Sequence, residues 1–374
     1  MASYTYDPLE LSRPSLRLCT LLPGNNDDPI RCELRVELMD NSIKQYTGLS
    51  YTWGKHIERL PITMNDQEFW VQPNLREALY AIRKLESARV LWIDAICIDR
   101  TSMAERNHQV TMMGRIYKNA RSVIAWLGPS TPDIDDAYMI FDSEYKVERS
   151  HGLFRRSYPH FIFRATSDLL HRPYWSRAWI RQEILLARDV IVYFGVNALP
   201  WSTFQEFVSM ADYDFWMTTP SSRLHSQREN GFTSQRLVNL LRDFGIADCA
   251  DIRDRVFSLL SLASDVEGYV DEIVDYDLNC PSLFLLLLHF LVTASSTSPR
   301  ENPRGTYDIS SGISSLNTMA GILQHTLSVR TKDIVYLGTG PQTRPTLKRL
   351  KIRLAAQRPF YPHCLTGIAH SPDG

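Results

Sequence analysis

Glu183 stands one helical turn beyond Trp179, so an indole and a carboxylate share one face of a helix. Beside a large apolar ring a carboxylate loses hydration, and its proton affinity rises. Such a group can hold a ribose hydroxyl and stabilise the oxocarbenium-like transition state of a glycosidic cleavage. The other reading is structural: a buried glutamate paired with Arg172 or Arg177. Asp94 sits inside the apolar run Val90–Ile98, where a lone carboxylate would cost several kcal/mol. It therefore requires a cation, and Arg106, Arg172 and Arg253 are the candidates. Asp99 ends that run, where ligands of open α/β sheets bind; it either meets a ligand or caps a turn. Tyr51, Trp53 and Gly54 end an earlier strand. Trp53 can stack on a planar ligand or pack as an ordinary aromatic, and Gly54 permits a turn with positive φ. Glu105 closes the capping box Ser102-Met-Ala-Glu105, which accounts for it without catalysis. Cys97 reads as a core thiol and His108 as a surface helix residue.

Other chemistries lack their residues. The chain contains no G-x-x-x-x-G-K-[ST], G-x-S-x-G or H-E-x-x-H. Its six cysteines are scattered without a C-x-x-C pair, so structural zinc, a redox dithiol and a disulfide framework are not expected. A net charge of −1 gives no bulk attraction to nucleic acid or to an anionic membrane. The longest apolar run, Leu283 to Ala294, contains His289 and is too short to span a bilayer. No secretory leader is legible at Met1, and the expected location is cytoplasmic.

The elements that must position these residues follow from pattern. Leu16–Leu22, Cys32–Leu38, Tyr46–Trp53, Leu60–Met64 and Glu68–Val71 read as strands, the last two joined by an Asn65-Asp66 turn. Pro73 opens a helix with Leu75, Ala78, Leu79, Ile82 and Leu85 on one face. Val90–Ile98 suits a strand buried on both faces, and a helix follows from Ser102. Ser122–Leu127 and Val190–Phe194 read as strands, Trp175–Ala187 as a helix, and Leu199–Ala263 as helical. This alternation predicts an α/β fold with a mostly parallel sheet and an N-terminal antiparallel ribbon. Residues 295–305 look like a linker, and the stretch from Pro341 is rich in Arg and Lys.

Four blocks resemble the signature of the heterokaryon-incompatibility (HET) domain family in its order. They are Leu49-Ser-Tyr-Thr-Trp-Gly54; the stretch Leu91 to Gly128 with LWIDAICID, ERNHQV, IYKNA and VIAWLG; RPYWSRAWIRQE at 172–183; and DIRDRVFSLL from Asp251. Arg100, Arg181 and Ser261 depart from the family pattern, which usually has glutamine, an apolar residue and glycine there. HET domains are similar in layout to TIR domains, the flavodoxin-like signalling modules of innate immunity. Here Gly48-Leu-Ser-Tyr51 resembles the TIR first strand, and Trp179-Ile-Arg-Gln-Glu-Ile184 the TIR helix that supplies a catalytic glutamate.

These resemblances imply a flavodoxin-like HET domain over residues 15–210, a helical extension over 211–295, and a linker with an unassigned basic tail over 296–374. They imply a trigger of fungal self/non-self recognition and programmed cell death that acts by assembly with itself or protein partners. The alternative that they imply is an NAD glycohydrolase using Glu183. In that case Tyr51, Trp53, Gly54, Asp94, Asp99 and Trp179 are candidates to bind substrate. NAD would be a substrate, with no cofactor, metal, nucleic acid or membrane span expected.

Overall fold

Asn65 and Asp66 both take positive φ, 48° and 59°, the conformation a two-residue hairpin demands. They join two of the nine strands of a single sheet among the described residues. The computed structural model describes residues 4–25, 27–39, 46–54, 58–151, 160–210, 212–266, 268–296 and 309–330. In chain order the first half contains β1 (Ser15–Leu21), β2 (Arg31–Leu38), β3 (Thr47–Tyr51), β4 (Leu60–Met64) and β5 (Gln67–Val71). Then come α1 (Pro73–Ile82), β6 (Arg89–Trp92), α2 (Asp94–Cys97), α3 (Met103–Asn119) and β7 (Ser122–Trp126). Helices α4 (Pro132–His151) and α5 (His160–His171), a 3-10 turn (Pro173–Ser176) and α6 (Ile180–Leu185) lead to β8 (Val190–Phe194) and β9 (Asn197–Pro200). Short helices follow: α7 (Trp201–Ser209), α8 (Tyr213–Met217), α9 (Pro220–Glu229), α10 (Leu237–Phe244), α11 (Asp254–Phe257) and α12 (Val270–Ile273).

The strand order is β5-β4-β2-β1-β6-β3-β7-β8-β9. The centre, β6-β3-β7-β8, is parallel throughout. Its flanks are not: β1 runs antiparallel to both β2 and β6, β4 to β5, and β8 to β9. The sheet is therefore mixed rather than mostly parallel, because the N-terminal ribbon joins the same sheet at the β6 edge. Strands β3 and β7 carry the fully buried core residues Leu49, Tyr51, Ile124 and Trp126, while α6 packs across both strands.

Three expected elements change. The apolar run from Val90 is not one strand; it leaves the sheet after Trp92 and turns into α2. Apolar runs this short cannot be assigned by periodicity. The Asp94 carboxylate accepts the Ala95 N–H at 2.8 Å, which favours a helical start. The helix expected over Trp175–Ala187 is broken at Arg177–Ala178, where the backbone pairs with Asp248 through Ala178 N–H to Asp248 O and Asp248 N–H to Ser176 O. Strand β9, whose last two residues fall in the stretch expected to be helical from Leu199, closes the sheet through a Gly195 turn with φ 59°.

Residues Met1–Asp277 form one compact unit and Leu278–Gly374 another. The described part of the second unit is a pair of helices that pack on each other, α13 (Cys280–Ser296) and α14 (Ile309–Leu327), the former burying Leu283, Phe284, Leu287 and Leu291. Most of the expected linker, and the basic tail with Arg344, Lys348, Arg349, Lys351, Arg353 and Arg358, lie outside the described residues. No helix among the described residues is long and apolar enough to cross a membrane.

Helix α3 reaches the region after α11 through Gly114. A β-carbon there would stand 2.3 Å from Ser261 Cβ, a separation that no packed side chain adopts. Ser261, in turn, donates to Gln182 Oε1 at 2.6 Å and so ties α6 to the same place. Alanine is intrinsically better than glycine inside a helix by about 1 kcal/mol, but overpacking costs about 1–3 kcal/mol. Gly114→Ala is therefore expected to destabilise the chain, and adding Ser261→Gly to recover part of the loss. Thermal unfolding of the two single variants and the double variant checks this; no recovery in the double variant would mean that Ser261 is not the obstruction.

Candidate functional site

Ser50, one residue before the end of β3, faces α6 because side chains alternate along a strand. Its hydroxyl donates to Glu183 Oε2 and lies 2.7 Å from the Tyr174 hydroxyl. The Glu183 side chain is only 2% exposed, and Arg177 Nη1 stands 3.5 Å from the same oxygen with its own side chain 14% exposed. Burial raises the Glu183 carboxyl above its ordinary proton affinity, and Arg177 and Ser50 only partly oppose it. Of the two cations considered for Glu183, the structure chooses Arg177. Arg172 instead binds Asp168 at 3.0 Å and the Leu127 carbonyl at 3.2 Å.

A second group lies at the carboxyl ends of β3 and β6. Trp53 donates from its indole nitrogen to Asp94 Oδ2 at 3.0 Å. Arg100 lies over the Trp53 ring, its guanidinium carbon 3.5 Å from the ring centre, and reaches Asp94 at 3.8 Å. The arginine beside Asp94 is thus Arg100, not Arg106, Arg172 or Arg253. Arg106 and Arg253 are drawn instead to Asp251, at 3.5 and 2.7 Å, and both stack on Tyr276. Arg100, six residues from Asp94, comes within reach because the chain leaves the sheet at Trp92 and turns through α2. Gly54 has φ 79°, as a turn there requires.

Asp99 takes its turn-capping role: Oδ1 accepts from Thr101 N–H at 3.0 Å and from the Thr101 hydroxyl at 2.6 Å. Trp179 does not stack beside Glu183 at an opening; its indole is hydrogen-bonded to Asp254, whose carboxyl burial also raises. Tyr51 is sealed in the core, its phenol oxygen without a hydrogen-bond partner among the described residues. Cys97 is a core thiol, pushed up to about 12 by burial. His108 is half-buried and contacts the Arg13 carbonyl at 3.0 Å through Nε2.

Half of the expected capping box forms. Ser102 accepts from Glu105 N–H, but the Glu105 carboxylate turns away to Arg17, at 2.5 and 3.0 Å, and to Asp99 N–H at 2.6 Å. Both side chains of this pair are buried, at 1% and 6% exposure. An ion pair to a buried guanidinium outweighs a cap to one N–H.

Asn74 lies in the first turn of α1 and joins two strands to it. Its Nδ2 donates to Thr52 O and its Oδ1 accepts from Trp126 Nε1 at 2.8 Å. It thereby fastens the ends of β3 and β7, where the strand order reverses direction. A polar residue just after a proline was the only signal, and it is shared by many ordinary helix starts. A cavity of about 450 Å³ lies elsewhere, between Thr131–Asp133 and Arg164, Ala165 and Asp168, and none of the candidate residues lines it. No cluster of three or more His, Cys, Asp or Glu suited to a metal occurs among the described residues.

Residues 46–183 match the protein-family model described as "Heterokaryon incompatibility protein (HET)". Over 161 residues the chain is 31% identical to a Neurospora crassa protein named "Heterokaryon incompatibility protein 6, OR allele", a stretch covering 38% of this chain and 23% of that protein. The chain thus spans about a quarter of the length of the curated relative it matches. No solved structure matches it. The first three sequence blocks fall within the matched residues, and the fourth, from Asp251, lies beyond them.

The raised proton affinity of Glu183 has a signed consequence. Its protonated form suits the fold better, so its contribution is complete below the ordinary glutamate value of 4.5 and is lost as pH rises through the higher folded value. Glu183→Gln removes that dependence. The stability of the wild-type chain minus that of Glu183→Gln, from urea unfolding, is therefore expected to fall as pH rises from 4.5 upward. A flat or rising difference would show that burial does not dominate this carboxyl.

Proposed function

Taking residues 46–183 as a region of the HET family, we propose that the chain is a trigger of fungal heterokaryon incompatibility and cell death that works by assembling with itself or with protein partners. The relative's name concerns incompatibility, and the residues matched by the family model include Ser50, Tyr174, Arg177 and Glu183. The observation that carries assembly over catalysis is the state of Glu183. Its carboxylate lies under β3, bound to Ser50 and paired with Arg177, with 2% of the side chain exposed. A group so enclosed serves the fold, whereas a catalytic carboxylate must touch a substrate. The chain acts inside the cell in this reading, with a flavodoxin-like core. The order β6-β3-β7-β8 supports that core, since the parallel strands stand second, first, third and fourth in order of appearance.

A second reading, NAD hydrolysis through Glu183, draws support from one place in the fold. The raised carboxyl lies under the strand at which the sheet order reverses, where open α/β sheets bind ligands. Trp53, Asp94 and Arg100 stand at the end of that strand and would meet the substrate.

The two readings part on Glu183→Gln and on the wild-type protein. In the assembly reading, concentrated wild-type protein releases no nicotinamide from NAD, and folded Glu183→Gln still assembles by light scattering and still kills fungal cells that express it. Nicotinamide release by the wild type, abolished together with killing in folded Glu183→Gln, would overturn assembly in favour of catalysis.

A further inference from the structure

Arg181 differs from its neighbours in how its charge is met. Arg17, Arg172, Arg177 and Arg253 each stand beside a carboxylate. Arg181 is half-buried on α6, its guanidinium carbon 4.6 Å from the centre of the Phe244 ring. One of its N–H groups donates to the Arg177 carbonyl at 3.3 Å. No carboxylate lies within ion-pair distance among the described residues, and burial alone pulls its proton affinity down to about 10. Its other donors have no hydrogen-bond partner among the described residues. A guanidinium has five donors in a fixed fork that suits an oxyanion. Half-buried and unpaired, it carries a desolvation cost that an incoming anion would offset.

The surroundings are firm and apolar. Phe244 ends α10, and Ile246, two residues on, is 67% exposed. This turn is held by Gly245 N–H to Leu241 O at 2.8 Å and by the backbone pairing of Asp248 with Ser176 and Ala178. A cation over an aromatic ring, with an exposed aliphatic side chain two residues along the same turn, has the composition of a protein-binding hot spot.

We propose that Arg181, Phe244 and Ile246 form a docking surface for an acidic, partly apolar segment of a protein partner, whose carboxylate takes the open fork of Arg181 while an aliphatic side chain covers Ile246. The identification of the partner as protein rests on the assembly reading, and charge complementarity selects an acidic one.

The test uses the full chain and a fluorescent peptide of alternating glutamate and leucine, followed by anisotropy. Saturable binding is expected, weakened about tenfold by Arg181→Leu, the loss of one charge-assisted contact of about 1.4 kcal/mol. Ile246→Ser, or glutamine in place of the peptide's glutamates, is also expected to weaken it. Arg181→Leu should melt no lower than the wild type, because it removes an unpaired buried charge. Absence of binding, equal binding by Arg181→Leu, or a lowered melting temperature in that variant would overturn the docking surface. So would inorganic phosphate displacing the peptide as readily as free glutamate-leucine peptide does, which would indicate a small-anion site. Light scattering separates the two readings. A monomeric chain that binds the peptide through Arg181 retains the surface and loses self-assembly. An assembling chain whose peptide binding ignores Arg181 retains assembly and loses the surface.

Discussion

A carboxylate beneath the middle of a β-sheet is the constraint on which this fold depends. Glu183 has almost no access to water, and a charge so placed costs several kcal/mol unless partners surround it. Ser50 reaches it from β3, Tyr174 joins through Ser50 from the 3-10 turn, and Arg177 closes the group from the break before α6. That break is also where the backbone accepts Asp248, so the carboxylate's partner and the attachment of the later helices share one short segment. Moving α6 would strand a charge, a phenol and a backbone ladder together.

The same economy of buried charge recurs across the first unit. Arg17 on β1 joins Glu105 on α3 and also binds the Cys97 carbonyl, locking the ribbon, the α2 turn and α3 to one another. Tyr276 receives Arg106 and Arg253 on its ring and gives its hydroxyl to Asp254, which Trp179 also contacts. Residues of all four sequence blocks therefore meet pairwise: Ser50 with Glu183, Trp53 with Asp94, Trp179 with Asp254, Arg106 with Asp251. In this chain the shared blocks describe a connected polar skeleton inside an apolar core. Residues that look catalytic in one dimension satisfy one another in three.

The open end of the parallel strands is held in a different manner. Asn74 bridges the ends of β3 and β7, and Trp53 lies between an aspartate and an arginine that is itself 42% exposed. Here the polar groups have water within reach, so rearrangement is cheaper than around Glu183. Chemistry or recognition at this end would draw on Trp53, Asp94 and Arg100, with Glu183 beneath them as support.

Local pattern was sufficient for the elements whose causes are local. The Asn65-Asp66 hairpin, the helix at Pro73, the Ser102 cap and the strand at Val190 are all legible, because turn conformers, caps and side-chain periodicity act over a few residues. The first three blocks likewise fall in the stretch that matches the HET family model, and Arg177 is one of two partners that the residues allow for Glu183. Tertiary structure decided the rest. It ended β6 at Trp92, broke the helix at Arg177, turned Glu105 from its cap to Arg17, and gave Asp94 to Trp53 and Arg100. Ser50 and Glu183 are 133 residues apart, and Arg17 and Glu105 are 88. A side-chain charge has the same strength toward every opposite charge, so its partner is fixed only when packing brings one within reach and removes the water between them.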